Sequence, residues 1–500
     1  MGQRYLSKKM FSMQKLLVPL RDAVRRSCQL KAIKAASTIV EGNIQEFVRE
    51  QEKRNEETSH LTELVRDFLD PADFYRALQN IGIEFFCGVP DSLLKDFCAF
   101  VTTNVPEENH VITANEGNAI GLAAGYHLAS GKAGLVYLQV ITGVGQQVLM
   151  SLMLPHEFDT LFQSVVGLST ELRVLGSIPD MAEKFIIGIG NTVNPLLSLA
   201  APEVYSIPML LLIGWRGEPG KRDEPQHILQ GQVTPGMLNS LGIPFSTLPD
   251  FLDGAKNTLE NAKKYIDKHS SPYALLVKRQ TFLPYKLPKQ NPEFRMSREQ
   301  AVQILVDGLH DSDIVVSTTG MLSRELFEYR VVKEQGHERD FLTVGSMGHA
   351  SSIALGIALR KKNRQVFCFD GDGAVIMHMG TMSSVGQTQP NNFKHVVINN
   401  GAHDSVGGQH TAAQNHDRFS LAQIAVGSGY RQSKVVATET ELMSGIRWLR
   451  QTSGPALLEV KVNQGSRKGL GRPTRTPIQN KMDFMNFIAL QAYDQQPNYV

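Results

Sequence analysis

Two short polar strings each close an apolar run that predicts a β-strand. Gly371-Asp372-Gly373 follows residues 366–370, and Asn399-Asn400 follows residues 395–398. The stretch between them has room for one helix, so the strands should be parallel neighbours whose carboxyl ends share one crevice, where open α/β sheets bind ligands. A carboxylate, an amide oxygen and a nearby backbone carbonyl suit Mg²⁺, which keeps positions open for phosphate oxygens. The pattern predicts a metal-assisted phosphate site.

The glycines around Asp372 support this interpretation. Without side chains, Gly371 and Gly373 let diphosphate oxygens approach the backbone. A helix predicted from about Ala374 would direct its positive amino end toward the same anion. Either string alone is typical of a turn, whereas the strand–helix–strand context favours phosphate binding.

Strands alternate with helices along most of the chain, which predicts an α/β fold of two doubly wound parallel sheets with no middle domain. Asp70 before Pro71 resembles a helix start, and Ser297 with Gln300 resembles a capping box that opens the second half. The predicted parts are a leader and spacer at 1–65, a first domain at 66–286 interrupted by an insert at about 140–187, a linker at 287–294 and a second domain at 295–500.

Composition excludes several function classes. The net charge of +2 over 500 residues gives no nucleic-acid signal, and no apolar run is long enough to span a bilayer. Four cysteines without close pairing indicate a reducing compartment. Residues 1–38 hold nine Lys and Arg but one acid, Asp22, which is typical of a mitochondrial presequence. The alternative is a basic leader without an address, in a cytoplasmic protein.

Several strings in the same order resemble thiamine-diphosphate-dependent 2-oxo acid decarboxylases. The resemblance is closest to the phosphonopyruvate decarboxylase family, with sulfopyruvate decarboxylases as near relatives. It covers roughly residues 71–139 and 191–487. The strings are GVPDS at 88–92, NEGNA at 115–119, GWRGEPG at 214–220, GSMGH at 345–349, residues 366–409 and LGRPT at 470–474.

The resemblance implies a thiamine diphosphate site with Mg²⁺. The metal would take the side chains of Asp372 and Asn400 and the backbone carbonyl of Ala402, with Asn399 as a supporting partner. Glu116 would share a proton with the pyrimidine ring of the cofactor, a task that needs a carboxylate tuned by burial. Alternatively, Glu116 is an acid that stabilises a helix amino end.

The same resemblance places other residues along the cofactor. Met347 would prop the cofactor into its bent shape, with Ser346 beside it and the Gly345 carbonyl on the 4′-amino group. Gly320 would lie against the diphosphate, as would Gly371 and Gly373. The alternatives are a core methionine and an ordinary turn glycine.

The implied reaction is the loss of carbon dioxide from a 2-oxo acid, because the cofactor accepts the electrons. Asp91, Ser92 and His403 would flank this chemistry, and His403 could exchange protons near neutral pH. It could equally be a loop histidine bonded to backbone. For an anionic substrate group the candidates are Arg216, Arg324 and the amides from Ser405 onward. Each arginine could instead hold a carboxylate of the protein.

The expected function is the decarboxylation of 3-phosphonopyruvate to phosphonoacetaldehyde by a carbon–carbon lyase, with a small 2-oxo acid as the only other partner besides a second subunit. The alternatives are a decarboxylase of sulfopyruvate or another 2-oxo acid, and a catalytically impaired cofactor-binding homologue. The resemblance implies a homodimer or larger assembly with the cofactor at the subunit interface.

The sequence departs from the family pattern after Gln139. The family continues with Asn-Ser-Gly and then a Gly-Asn-Thr-Val-Asn-Pro string, which here appears only at 190–195. The intervening segment, from Val140 to about Ile187, has no counterpart and removes the Asn-Ser-Gly. Translated intron sequence is the favoured explanation, and a regulatory insertion is the alternative. The sequence therefore predicts an intact diphosphate half, whereas the half that contributes Glu116 is interrupted just downstream.

Overall fold

The computed structural model describes residues 68–139, 187–223, 225–288 and 292–490. The predicted leader and nearly all of the predicted insert lie outside these residues. Mitochondrial import, the nature of the insert and the limits of the four parts therefore stay predictions.

The first half contains a six-stranded sheet. Its strands are β1 (Phe86–Gly88), β2 (His110–Ile112), β3 (Gly134–Gln139), β4 (Met209–Gly214), β5 (Phe245–Thr247) and β6 (Tyr273–Val277). They are all parallel, in the order β2-β1-β3-β4-β6-β5.

Helices connect these strands, as parallel pairing requires. They are α1 (Pro71–Asn80), α2 (Lys95–Asn104), α3 (Glu116–Ser130), α4 (Ile187–Pro195), α5 (Pro225–Ser240) and α6 (Leu252–His269). A short 3₁₀ helix covers Glu107–Asn109, and a π-helix at Leu196–Ala200 extends α4. Helix α1 begins as expected, since the Asp70 side chain accepts from the amides of Ala72 and Asp73.

The second half contains another six-stranded sheet. Its strands are β7 (Ile314–Ser317), β8 (Asp340–Leu342), β9 (Val366–Gly371), β10 (Phe393–Asn399), β11 (Gln432–Val436) and β12 (Ala456–Lys461). They are also all parallel, in the order β11-β12-β10-β9-β7-β8. If the strands of each sheet are numbered 1 to 6 along the chain, both sheets have the order 2-1-3-4-6-5. The two sheets therefore share one topology. The prediction of two parallel α/β sheets is confirmed.

The helices of the second half are α7 (Arg298–Asp307), α8 (Met321–Val332), α9 (Ala350–Arg360), α10 (Asp372–Met377), α11 (Thr381–Thr388), α12 (Leu421–Gly427), α13 (Glu439–Gln451) and α14 (Pro477–Ile488). Two 3₁₀ turns cover Asp404–Val406 and Ala412–Gln414. The capping box at Ser297 and Gln300 is present at the start of α7. No middle domain separates the halves in the described chain, since β6 ends at Val277 and α7 begins at Arg298.

Both sheets are buried on two faces, which explains their nearly continuous apolar strands. In β4, Leu210 and Leu212 face one core while Leu211 and Ile213 face the other. In β9, Phe367 and Phe369 likewise oppose Val366 and Cys368. This double burial makes each sheet a rigid support for the loops at its carboxyl edge.

The prediction of one helix between Asp372 and Asn400 is wrong. The chain forms two, α10 and α11, separated by residues 378–380. His378 leaves helical geometry at φ −130° and ψ 45°, and its ring packs edge-on against His349, with ring centroids 4.2 Å apart. The break between the two helices therefore coincides with a contact to a distant loop.

Cys87, Cys98 and Cys368 are buried and unpaired. Among the described helices, none combines the length and apolar character that crossing a membrane requires.

Candidate active site

The carboxyl ends of β9 and β10 open into a cleft. The two strands pair in parallel, with Ile398 opposite Gly371, so the polar strings that follow them emerge side by side. Asp372, Asn400 and Ala402 all line this cleft. The structure thus brings together the three residues that the sequence predicts as metal ligands.

Asp372 is 2% exposed at the start of α10. The Thr411 hydroxyl donates a hydrogen bond to its Oδ2, and the backbone N–H of Asn400 also donates to this carboxylate. Burial raises the pKa of this carboxyl to about 6, and these hydrogen bonds only partly offset the effect. A cation beside it would favour the ionised form.

Asn400 is oriented by a chain of charged groups. Its Nδ2 donates to Asp404 Oδ2 at 2.7 Å, while its Oδ1 accepts from the Ala402 amide at 3.1 Å. Asp404 in turn accepts from Arg298 Nη1 at 2.7 Å. Arg298 also lines the cleft and pairs with Glu325. Sequence reasoning missed Arg298, whose only local signal is its place at the start of a helix.

Asn399 lies inside the sheet and supports the loop. Its Nδ2 donates to Glu459 Oε1 at 2.7 Å, and its Oδ1 accepts from the Gly401 amide at 3.0 Å. The two adjacent asparagines therefore face different surroundings, and only Asn400 is in the cleft wall.

Loops with left-handed backbone geometry also line the cleft. Gly320, with φ +106°, precedes α8 and lines the cleft. Gly345 and Ser346 have φ values of +75° and +48°, and this turn presents Met347 to the cleft. A positive φ is uncommon for serine, and such strain often marks a functional loop.

Gly373 must lack a side chain. A Cβ atom there would lie 2.9 Å from His403 Cε1 and 3.4 Å from Met347 Cε. The glycine thus allows His403 and Met347 to approach α10. Burial lowers the pKa of His403 to about 4, so its imidazole is neutral at pH 7, unlike the near-neutral titration that the sequence suggested.

Glu116 is the first residue of α3 and is 1% exposed. Asn191 Nδ2 donates to its Oε2 at 2.9 Å. Burial raises its pKa to about 7, although the Asn191 bond acts in the opposite direction. Asn191 follows the predicted insert in the chain and lies on α4, which packs along α3. The chain therefore returns to Glu116 after the insert.

Removing the Asn191 donor should raise the pKa of Glu116 further, because that bond stabilises the ionised carboxylate. We expect Asn191→Ala to move the Glu116 limb of the pH–rate profile upward by about one pH unit. The exposed Asn194→Ala on the same helix is the control. An unchanged profile in Asn191→Ala would show that this bond does not tune Glu116.

Asp91 is fully buried in the loop after β1. Its Oδ1 accepts from the Leu93 amide at 2.7 Å, while Oδ2 has no hydrogen-bond partner within the described chain. Burial raises its pKa to about 7, with Leu93 and Arg216 opposing the shift. An unsatisfied buried carboxylate is costly, so Asp91 stays a candidate for the site.

The two candidate arginines differ. Arg216 pairs with Asp223, Nη2 to Oδ1 at 2.6 Å, and its Nη1 donates to Ser92 Oγ at 3.3 Å. Arg324 is partly buried in the first turn of α8, and no carboxylate of the described chain lies within ion-pair distance of it. Burial and then the charge of Arg216 lower the pKa of Arg324.

Both halves of one chain meet at the cleft. Pro90, the neighbour of Asp91, lines it together with Asp372 and Ser405. Asn115 Nδ2, next to Glu116, donates to the Met377 carbonyl at 3.3 Å, and Gln409 Nε2 donates to the Lys95 carbonyl at 3.3 Å. Glu116, Asp91, Ser92, Arg216 and Arg324 themselves lie outside the cleft wall that contains Asp372.

These residues fit the predicted cofactor and metal. Asp372, Asn400 and Ala402 supply hard oxygen donors, and the glycines leave room for phosphate beside the backbone. The buried Thr318 hydroxyl also lines this cleft and has no partner among the described residues. A phosphate oxygen would satisfy it.

Comparisons with known proteins agree with this site. Residues 72–152 match the thiamine pyrophosphate enzyme, N-terminal TPP binding domain, and residues 318–460 match the C-terminal TPP binding domain. Fold and site therefore define a thiamine-diphosphate-dependent enzyme.

Curated relatives narrow the class. A phosphonopyruvate decarboxylase of Streptomyces hygroscopicus is 32% identical over 316 residues, 60% of this chain and 76% of the relative. That of Streptomyces viridochromogenes is 29% identical over 83% of this chain and 94% of its own. A sulfopyruvate decarboxylase of Methanosarcina acetivorans is 24% identical over 78% and 90%. The chain belongs to the phosphonopyruvate decarboxylase family of carboxy-lyases.

Proposed function

We propose that this chain decarboxylates 3-phosphonopyruvate to phosphonoacetaldehyde and carbon dioxide, with thiamine diphosphate and Mg²⁺ bound in the cleft at Asp372. The observation that carries the choice of substrate is Arg324, a partly buried guanidinium without a described carboxylate partner beside a second arginine. An arginine without such a partner suits the anionic group of a phosphonate.

The chain would hold the reactants in the following way. Asp372, Asn400 and the Ala402 carbonyl would hold the metal, while Arg298 and Asp404 keep the Asn400 amide in place. When bound, thiamine diphosphate supplies a thiazolium ring that accepts the electron pair released as carbon dioxide leaves. Glu116, with its pKa of about 7, would hold or release a proton at its carboxylate near neutral pH.

The substrate would lie between the cleft and the first half. Asp91, kept mostly protonated below pH 7, would donate or accept one proton through its unpartnered Oδ2. Ser92 and the neutral His403 would supply hydrogen bonds, and the backbone amides from Ser405 onward, where the chain lines the cleft, would donate to the anionic group of the substrate. Arg324 would bind the phosphonate, and Arg216, already neutralised by Asp223, would position Ser92.

The resemblance also supports a dimer or larger assembly. We infer that a second subunit completes the site around Glu116, Asp91 and Arg324, since these residues lie outside the cleft wall of their own chain.

Sulfopyruvate is the second candidate substrate, because the sulfopyruvate decarboxylase relative aligns over 412 residues. Sulfonate carries one negative charge where phosphonate carries up to two, so the uncompensated charge of Arg324 favours phosphonate. Carbon dioxide release from the two acids, with cofactor and Mg²⁺, separates the candidates. We expect kcat/KM to be at least about tenfold higher for phosphonopyruvate. A preference for sulfopyruvate would reverse the assignment, and release from neither would support an impaired homologue.

Arg324→Gln tests the phosphonate contact. We expect a rise in KM for phosphonopyruvate of about 10- to 100-fold, because one charge-assisted hydrogen bond is lost. Arg447→Gln, an exposed change on α13, is the matched control. An unchanged KM in Arg324→Gln would remove this residue from the substrate site.

The insert is tested by deleting residues 140–187 and measuring both cofactor binding and carbon dioxide release. If translated intron sequence accounts for it, the shortened chain should turn over faster than the full chain. Loss of activity on deletion would instead favour a regulatory insertion.

A further inference from the structure

A second cavity lies at the amino edge of the second sheet. Gln365 and Asn392, which directly precede β9 and β10, line it together with the last residues of α9, α11 and α13. Since these strands are parallel, this edge is opposite the one that carries Asp372 and Asn400. The groove has a volume of about 560 Å³, which is the size of a small-molecule site.

The wall of this groove is cationic. It contains Lys362, Lys394 and Arg450, and its other polar groups are amides and hydroxyls. None of the described residues that line it is Asp or Glu. Asp313, which pairs with Arg450, is 1% exposed and does not line the groove. An anion entering the groove would therefore meet no opposing carboxylate.

Lys394 is held at the floor of the groove and is only 1% exposed. Its ammonium donates to the backbone carbonyls of Thr452 and Asn391, and no carboxylate of the described chain forms an ion pair with it. Burial, followed by the charges of Arg450 and Arg431, lowers its pKa to about 8. Asp313 acts in the opposite direction. A bound anion would favour the charged form of this buried ammonium.

The negative carboxyl ends of three helices explain part of the clustering of positive side chains in the groove. Helices α9, α11 and α13 end at this edge, and the bond from Lys394 to Thr452 satisfies a carbonyl just past α13. The carboxyl end of each helix carries only about half a negative charge. Lys362 is exposed at the rim, so bonds to backbone carbonyls do not explain its position. Gln365 Oε1 is also buried without a partner in the described chain, and the flipped amide would donate to a ligand.

We propose that this groove binds a small anion bearing a phosphate or phosphonate group, at a site separate from the catalytic cleft. Lys362 would attract the anion at the rim, and the ammonium of Lys394 and the amide of Gln365 would donate to its oxygens. The inference does not depend on the identity of the 2-oxo acid substrate.

Binding is tested on the full chain already saturated with thiamine diphosphate and Mg²⁺, so that phosphate cannot enter the diphosphate site. Isothermal titration calorimetry with inorganic phosphate, and separately with methylphosphonate, should show saturable binding of one anion per chain. The anion that binds more tightly shows whether the groove prefers a phosphate or a phosphonate group. Acetate, with a single charge, should bind at least about tenfold more weakly.

Lys362→Gln should weaken the binding of the preferred anion about 5- to 20-fold, since one charge-assisted contact is lost. Lys264→Gln, exposed on α6 in the other half, is the control and should leave the affinity unchanged. Lys394→Met should weaken binding further if the variant folds, and Lys362→Gln decides the question if it does not. Absence of saturable binding, or equal affinity in Lys362→Gln and the unchanged chain, would overturn the proposal and leave these cations as helix-end partners only.

Discussion

Replacing Asp372 by alanine should abolish thiamine diphosphate binding in the presence of Mg²⁺ and lower carbon dioxide release by at least about 1,000-fold. Asp372 is the only carboxylate among the three proposed metal ligands, and it opens the helix that borders the cleft. Without it, the Asn400 amide and the Ala402 carbonyl offer the metal no compensating charge. Calorimetric titration with the cofactor measures the loss directly.

The loss should not come from unfolding. Burial raises the pKa of Asp372 to about 6, so its ionised form destabilises the cofactor-free chain as the pH rises from about 4 to 6. The alanine variant should therefore be at least as stable as the unchanged chain at pH 7, as judged by its thermal midpoint. Asp253→Ala, whose side chain is 89% exposed, is the control. Retained cofactor affinity in Asp372→Ala would refute the metal assignment.

Replacing Glu116 by glutamine should lower kcat about 100- to 10,000-fold, the usual contribution of one proton-transfer group. Glutamine keeps the size of the side chain and can still meet Asn191, but it cannot exchange a proton with the cofactor. Cofactor affinity should change by less than about tenfold, because the diphosphate half is untouched. The two variants are therefore distinguishable, because the Glu116 variant should lose turnover while the Asp372 variant should lose cofactor binding.

The pH profile gives an independent reading of Glu116. Its pKa is raised to about 7, so activity of the unchanged chain should show a limb near neutral pH that Glu116→Gln lacks. Glu260→Gln, an exposed change on α6, should keep both the rate and the limb. A variant that retains full kcat would return Glu116 to the role of a helix-end acid.

Much of the fold was predictable because its signals are local. Apolar runs followed by glycine or asparagine mark strand ends within a few residues. The caps at Asp70 and Ser297 are hydrogen bonds to residues two or three positions away. The wrong prediction of a single helix between Asp372 and Asn400 has a long-range origin instead. His378 interrupts the helix where it meets His349, a residue 29 positions earlier, and no local pattern announces that contact.

The sequence by itself determined the chemistry available to this protein: which residues carry carboxylates, amides and guanidinium groups, and that Asp372 and Asn400 each follow a buried parallel strand. Only the tertiary structure decided which of these groups are partners. Asn191 bonds Glu116 across 75 positions, and Arg298 reaches Asp404 across 106. Arg216 pairs with Asp223, whereas Arg324 has no carboxylate partner among the described residues. Strand ends are fixed by short-range hydrophobic pattern and turn chemistry, whereas burial, pKa and pairing depend on which distant surfaces the two sheets bring together.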